Sequence, residues 1–199
     1  MADQILIMDV LPAFPLQILP IPGELMPLHI FEPRYRQLLT DAEENDIEFV
    51  TYPTSEVNPK SVGSILKLEQ VIRRFPTGES DIIVRSIDLC RVVHSRPFFQ
   101  DKLYPGASVE REQADLQRMA GLALVLEFSD WQRQLKKTHH GGVISQFHIA
   151  GSLQLDLNER IRFAQMSNER REMFLRNQIR YELKLIEATE KSKKTFHLN

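Results

Sequence analysis

The sequence contains a single cysteine, Cys90, among its 199 residues. One cysteine cannot form an intrachain disulfide, which excludes the disulfide-stapled scaffolds of small secreted proteins. No basic residue precedes Arg34, so the apolar stretch ILIMDVL at residues 5–11 lacks the positive region of a signal peptide. The apolar run GLALVL at residues 121–126 is far shorter than the roughly 20 residues that span a bilayer. We therefore expect a cytoplasmic protein without a membrane segment.

The sequence also lacks the motifs of nucleotide and metal chemistry. Neither G-x-x-x-x-G-K-[ST] nor G-x-G-x-x-G occurs, which removes the Walker loop and the simplest dinucleotide loop. His139, His140 and His148 come without H-E-x-x-H or a cysteine pair, so we expect an exposed turn with incidental histidines. Ser145 precedes His148 by one helical turn, but no strand–turn–helix elbow surrounds this serine. The sequence thus predicts no enzyme activity, no metal site and no cofactor.

Charge is nearly balanced over the whole chain but uneven along it. The formal net charge is −2. Residues 160–199 carry ten basic and five acidic side chains, and the preceding residues carry 15 basic and 22 acidic ones, a net −7. A solvated basic helix explains such an imbalance more often than a nucleic-acid surface does. We therefore consider nucleic acid an unlikely partner.

Proline divides the chain in two. All 11 prolines lie at or before Pro105, and proline favours turns, strand edges and strand starts over helix interiors. The segments EFVTYP, SVGSILKLE and DIIVRSIDLCRVV have strand composition, and FPTGES between the last two suits a hairpin turn. The third segment does not alternate cleanly, which predicts a β-bulge. We predict a β domain over residues 1–110 and a helical domain over residues 111–199.

Helical spacing is present in four segments. Pro33 suits the first position of a helix in which apolar residues recur at Tyr35, Leu38, Leu39 and Ala42. A second helix is predicted over residues 113–128, with an apolar stripe of Leu116, Ala120, Ala123 and either Leu124 or Val125. Asp156 and Glu159 have the spacing of a capping box, and residues 168–188 carry a wide apolar face.

The segment LPAFPLQILPIPGELMPLHIFEPRYRQLL, residues 11–39, resembles the start of the Lon protease N-terminal domain, also called the Lon substrate-binding domain. The matching elements are Phe14-Pro15-Leu16, Pro22-Gly23 and, most specifically, the run from Pro27 to Tyr35. Weaker similarity extends over most of the chain, through Val62-Gly63-Ser64 and Gly78. The sequence departs from the family at Ser86-Ile87-Asp88, where the family often has a glycine.

This resemblance implies an α+β fold, with an N-terminal PUA-like β pseudo-barrel containing one helix and a C-terminal helical bundle. Because the 199 residues contain no Walker loop and leave no room for an ATPase or protease domain, we expect a stand-alone member of the family. The implied function is non-catalytic recognition of polypeptide, meaning unfolded or client proteins or a partner protease. The sequence leaves the oligomeric state open.

The family motif is interpreted as mainly structural. Its residues are Pro27, Leu28, His29, Ile30, Phe31, Glu32, Pro33, Arg34 and Tyr35. Leu28, Ile30 and Phe31 are expected in the core, with Phe31 packed against Tyr35 four positions later. For polypeptide binding, the better candidates are Phe98, Phe99 and Tyr104 in SRPFFQDKLYPG. The alternative is that these three aromatics seal the barrel.

A second functional hypothesis is RNA binding, since PUA-like barrels elsewhere bind RNA. Five arginines could gather on one face of the barrel: Arg73, Arg74, Arg85, Arg91 and Arg96. The net charge of −7 over residues 1–159 argues against it, because phosphate contacts dominate such affinity.

Overall fold

A computed structural model of the protein describes residues 8–54, 58–136 and 142–196, with side chains up to residue 189. Within these ranges there are six strands and five helices, with one helix between the strands and four after them. The elements are β1 Met8–Pro12, β2 Leu25–Ile30, α1 Pro33–Asn45, β3 Glu48–Thr51, β4 Val62–Arg74, β5 Ser80–Arg96, β6 Gly106–Arg111, α2 Leu122–Gln134, α3 Gln146–Ser152, α4 Leu157–Ala164 and α5 Asn168–Phe196. This arrangement confirms the predicted α+β class.

The strands form one antiparallel sheet that curves back on itself. Its order is β1-β6-β5-β4-β3, and β2 pairs with the first part of β5. A parallel bridge joins Ala13 to Val50, and the Phe14 amide donates to the Val50 carbonyl over 2.8 Å. This bridge brings the end of β1 to β3, at the opposite end of the strand order. The sheet is therefore closed into the predicted pseudo-barrel.

The hairpin of β4 and β5 is the longest pairing in the sheet. Gly78 has φ +88° in the turn between the two strands, which confirms the predicted hairpin turn. The register shifts within this pair, from Ile65 opposite Asp88 to Leu66 opposite Ser86. Ile87 is thus an extra residue on β5, and the bulge predicted for this segment is confirmed. The strand runs without a turn through Ser86-Ile87-Asp88.

Helix α1 begins at Pro33, as predicted. The Glu32 backbone is extended just before it, and proline at the first helical position costs no hydrogen bond. Its buried side chains are Tyr35, Leu38, Leu39, Asp41 and Ala42. Helix α4 begins with the predicted capping box, in which Asp156 and Glu159 each accept a hydrogen bond from the other's amide.

The helix predicted over residues 113–128 was placed too early. Helix α2 begins at Leu122, and Gly121 precedes it with an extended ψ of 143°. The Gly121 amide donates to the Glu172 carboxylate over 2.9 Å, and a Cβ at position 121 would lie 2.6 Å from that carboxylate. A glycine that receives this close contact starts the helix instead of lying inside it. The buried stripe is accordingly Leu124, Phe128 and Trp131.

The chain divides into two compact units. The first comprises Met1–Asp115 and Leu155–Gln165, and the second comprises Leu116–Gln154 and Met166–Asn199. The chain thus returns to the first unit with α4. The predicted boundary at residue 110 does not account for this return of the chain to the first unit. The division into domains at residue 110 stays a prediction. In the described part of the chain, no helix combines the length and apolar character needed to cross a bilayer.

Candidate functional site

Two side chains that could carry out chemistry, Cys90 and Ser145, have structural roles. Cys90 is buried in the barrel, and burial raises the pKa of its thiol to about 12, so the thiol is protonated at neutral pH. The Ser145 hydroxyl accepts the His148 amide over 3.1 Å and thereby caps α3. The described residues include no group of three or more metal-ligating side chains placed to hold an ion. His139 and His140 lie outside these residues.

Part of the family motif is in the core. Ile30 and Tyr35 are buried, and the Tyr35 ring lies 4.1 Å from the ring of Phe14. The Arg34 guanidinium lies 4.6 Å from the centre of the Tyr35 ring, and it forms an ion pair with Glu32 over 2.8 Å. These contacts fix the corner between β2 and α1. For these residues the structural interpretation agrees with the contacts.

The expectation that Phe31 is a core residue was wrong. Its side chain is 55 % exposed, and Tyr35 packs against Phe14 instead. The reason is the alternation of a strand, which continues one residue past β2. Leu28 and Ile30 face the core, whereas His29 and Phe31 face solvent. Pro27, Pro33 and Arg34 are exposed as well.

Two exposed residues of the motif form an aromatic cluster with the tip of the β4–β5 hairpin. We define this aromatic cluster as His29, Phe31 and Phe75. The His29 ring stacks on Phe31 with centroids 6.1 Å apart and meets Phe75 edge-on at 5.9 Å. The Arg73 guanidinium lies 4.6 Å above the Phe75 ring. Sequence reasoning missed this cluster, although alternation along residues 28–31 carried the signal for its first two members.

Acidic side chains border the aromatic cluster. His29 stands opposite Asp81 in the β2–β5 register, and its Nδ1 lies 2.7 Å from the Asp81 carboxylate. Its Nε2 lies 3.7 Å from Glu79. These contacts hold the imidazole between the two phenyl rings. The result is a pair of exposed rings beside the half-buried Phe75, bordered by charged side chains.

The other candidate residues lie in three different environments. Phe98 is 61 % exposed, and Phe99 is half-buried with its ring stacked on Tyr104 at 5.9 Å. Tyr104 is only 1 % exposed, and its hydroxyl donates to Asp41 over 2.7 Å. Burial and this carboxylate raise the pKa of Tyr104. The expectation that Tyr104 contacts polypeptide is therefore corrected, because the barrel encloses the whole ring.

Replacing Tyr104 with phenylalanine tests this structural role. Burial would raise the pKa of Asp41, but hydrogen bonds from Lys102 and Tyr104 outweigh it and hold the pKa below its usual value. We expect Y104F to lower the free energy of unfolding by about 1.5 kcal/mol, since a carboxylate loses a donor. Urea unfolding followed by circular dichroism measures it. The exposed Tyr181 supplies the control, because Y181F should change the free energy of unfolding by less than about 0.5 kcal/mol. Equal losses for Y104F and Y181F would contradict the structural role of the Tyr104 hydroxyl.

The arginines of the RNA hypothesis are largely neutralised. Three of the five form ion pairs with carboxylates: Arg74 with Glu43, Arg85 with Glu69, and Arg91 with Glu110. Arg73 covers the Phe75 ring. Paired guanidinium groups attract phosphates less than free ones do, so this surface gives RNA binding little support.

A model of the ATP-dependent protease La (LON) substrate-binding domain matches residues 10–191. The chain belongs to this family. The resemblance read from residues 11–39 is thereby confirmed. A search of curated protein sequences gave no match.

The solved structures that have a similar fold include two Lon N-terminal domains. One is a Lon N-terminal domain protein from Xanthomonas campestris, with a TM-score of 0.64 and 22 % identity, over 82 % of this chain and 94 % of that one. The other is the N-terminal domain of Lon protease from the Mycobacterium avium complex, with a TM-score of 0.60 and 13 % identity, over 86 % and 98 %. At these identities the likeness supports the fold.

Proposed function

We propose that this LON substrate-binding domain recognises polypeptide and catalyses no reaction. Its ligands would be unfolded or client proteins, or a partner protease. The family is named for substrate binding. The observation that carries the proposal is the aromatic cluster, in which two side chains of the family motif face solvent beside Phe75. A large aromatic side chain that only held the fold together would be expected in the core.

The chemistry of the aromatic cluster suits unfolded protein. Phe31 is 55 % exposed, and such rings lose water-exposed apolar area when they meet an apolar side chain. Unfolded chains expose the apolar side chains that folded proteins bury. Arg73, Glu79 and Asp81 form a rim of both charge signs around the rings. Binding driven by apolar contact should therefore tolerate salt, in contrast to binding of a nucleic acid.

Alanine at position 31 gives the direct test. We expect F31A to raise the Kd for fluorescein-labelled β-casein, an unstructured protein, at least tenfold, since an exposed aromatic anchor is removed. Fluorescence anisotropy at two salt concentrations measures this. Val10 on β1 is 48 % exposed and supplies the matched control, because V10A should leave the Kd unchanged. Equal Kd values for F31A and the wild type would contradict this placement of the site.

The same titration separates the other hypotheses. If F98A weakens binding and F31A does not, the binding surface is the segment around Phe98, where Leu103 is also 57 % exposed. If labelled single-stranded RNA binds, and high salt abolishes that binding, the RNA hypothesis replaces the present one. If neither probe binds, recognition of unstructured protein is contradicted.

A further inference from the structure

One edge of strand β2 pairs with no other strand among the described residues. Among the described strands β2 pairs only with β5. The Ser86 amide donates to the Glu24 carbonyl over 2.9 Å, and this bond sets the alternation of an antiparallel pair. Met26, Leu28 and Ile30 therefore bond to β5, whereas the backbone groups of Leu25, Pro27 and His29 point to the other side. Pro27, which has no amide hydrogen, is at an outward position. This agrees with the alternation, because an inward position would need an amide hydrogen to bond to β5.

We propose that this edge adds a strand from the bound polypeptide to the sheet. The inference rests on the proposed function and specifies its mode: the client is captured in an extended conformation through its backbone. The edge offers the carbonyls of Leu25, Pro27 and His29 and the amides of Leu25 and His29. Donors and acceptors that alternate at strand spacing are complementary to another extended backbone.

The edge is continuous with the aromatic cluster, since His29 belongs to both. Leu25, Pro27 and His29 have their side chains on the solvent face, and Leu25 is 50 % exposed. A strand added here places every second side chain on that same face, beside Leu25 at one end and Phe31 at the other. Backbone hydrogen bonds then give affinity for a client of any sequence, and the exposed apolar side chains favour clients with apolar side chains.

Pro27 limits what the edge can bind. An exposed edge strand risks pairing with other copies of the same chain, and proline is one residue that blunts such an edge. Pro27 removes the middle donor but keeps its carbonyl. The edge thus retains two donors and three acceptors, which suits weak, reversible capture. A backbone amide restored at position 27 should strengthen the pairing.

Proline and alanine variants at one position isolate the backbone contribution. Both H29A and H29P lose the imidazole, but only H29P loses the outward amide hydrogen. We expect H29P to have a Kd for labelled β-casein about fivefold higher than H29A, the effect of one hydrogen bond. L25P against L25A repeats the comparison at the other end of the edge. P27A should lower the Kd about fivefold, a gain that loss of folding cannot produce.

Three outcomes would overturn the inference. If H29P equals H29A, L25P equals L25A and P27A has no effect, while F31A still weakens binding, strand addition is wrong and the proposed function stands. If the wild type does not bind β-casein, both fail. If light scattering shows a dimer that H29P dissociates, the edge pairs with a second copy instead of a client. Circular dichroism spectra of all variants should match that of the wild type.

Discussion

Replacing Arg160 with alanine should lower the free energy of unfolding by about 3 kcal/mol. Its guanidinium forms two hydrogen bonds with the Glu24 carboxylate, over 2.6 and 3.0 Å, and its Nε donates to the Leu155 carbonyl over 3.0 Å. The side chains of both charged residues are more than four-fifths buried, at 18 % and 17 % exposed. Alanine would leave the Glu24 carboxylate buried without its counter-charge, and that causes most of the loss.

Urea unfolding followed by circular dichroism measures the effect of R160A. Asn158 is an exposed residue of the same helix, so N158A is the matched control and should change stability by less than about 0.5 kcal/mol. R160K keeps the charge but not the two-pronged geometry, and its loss should lie between those of the other two variants. A loss for R160A no larger than that for N158A would show that the pair contributes nothing measurable.

Arg160 matters for the binding surface because Glu24 precedes β2. One carboxylate oxygen of Glu24 accepts the Ile21 amide over 2.6 Å as well as the guanidinium. The Glu24 carbonyl accepts the Ser86 amide, the bond that sets the register of β2 on β5. The ion pair therefore supports the loop that delivers β2 to the sheet. R160A should weaken β-casein binding also, if β2 is the binding edge.

The features that the sequence predicted well depend on a few neighbouring residues. Pro33 starts α1, Gly78 turns the hairpin, and Asp156 with Glu159 caps α4. In each case a local backbone preference and a local hydrogen bond agree, so no distant contact is needed to settle the structure. The start of α2 was missed because the deciding contact of Gly121, with the Glu172 carboxylate, is 51 positions away.

The candidate site was harder to predict for the same reason. Glu24 and Arg160 are 136 positions apart, and no local pattern links them. Phe75 contacts His29 only because the hairpin brings the two residues together. The outward position of Phe31, in contrast, could have been predicted from strand alternation alone. The sequence allows Tyr104 either to bind polypeptide, in a proline-flanked segment near the domain junction, or to seal the barrel. In the structure the Tyr104 ring lies in the barrel core, and its hydroxyl donates to Asp41, 63 positions away.

Replacing Asp88 with alanine should lower the free energy of unfolding by about 3 kcal/mol, as for R160A, since three donors would lose their acceptor. Asp88 is only 7 % exposed. Its carboxylate accepts hydrogen bonds from the amides of Leu89, Gln113 and Ala114, over 2.8, 3.1 and 2.9 Å. Two of these donors follow β6, so Asp88 anchors the chain where it leaves the sheet. The matched control is D88N, which retains one acceptor oxygen and should lose less than D88A.

The pH dependence of the Asp88 variants checks the same contact. Burial raises the pKa of Asp88, and the hydrogen bonds from Ala114, Gln113 and Leu89 only partly oppose it. A carboxyl whose pKa is higher in the folded state than in the unfolded state stabilises the fold when it is protonated. This contribution is complete at a pH below the unfolded-state pKa, and it is lost as the pH rises through the folded-state pKa. Lowering the pH from neutrality toward 4 should therefore stabilise the wild type relative to D88N, whose amide does not titrate. A constant difference between the two unfolding free energies over that range would show that the fold does not disfavour the ionised Asp88.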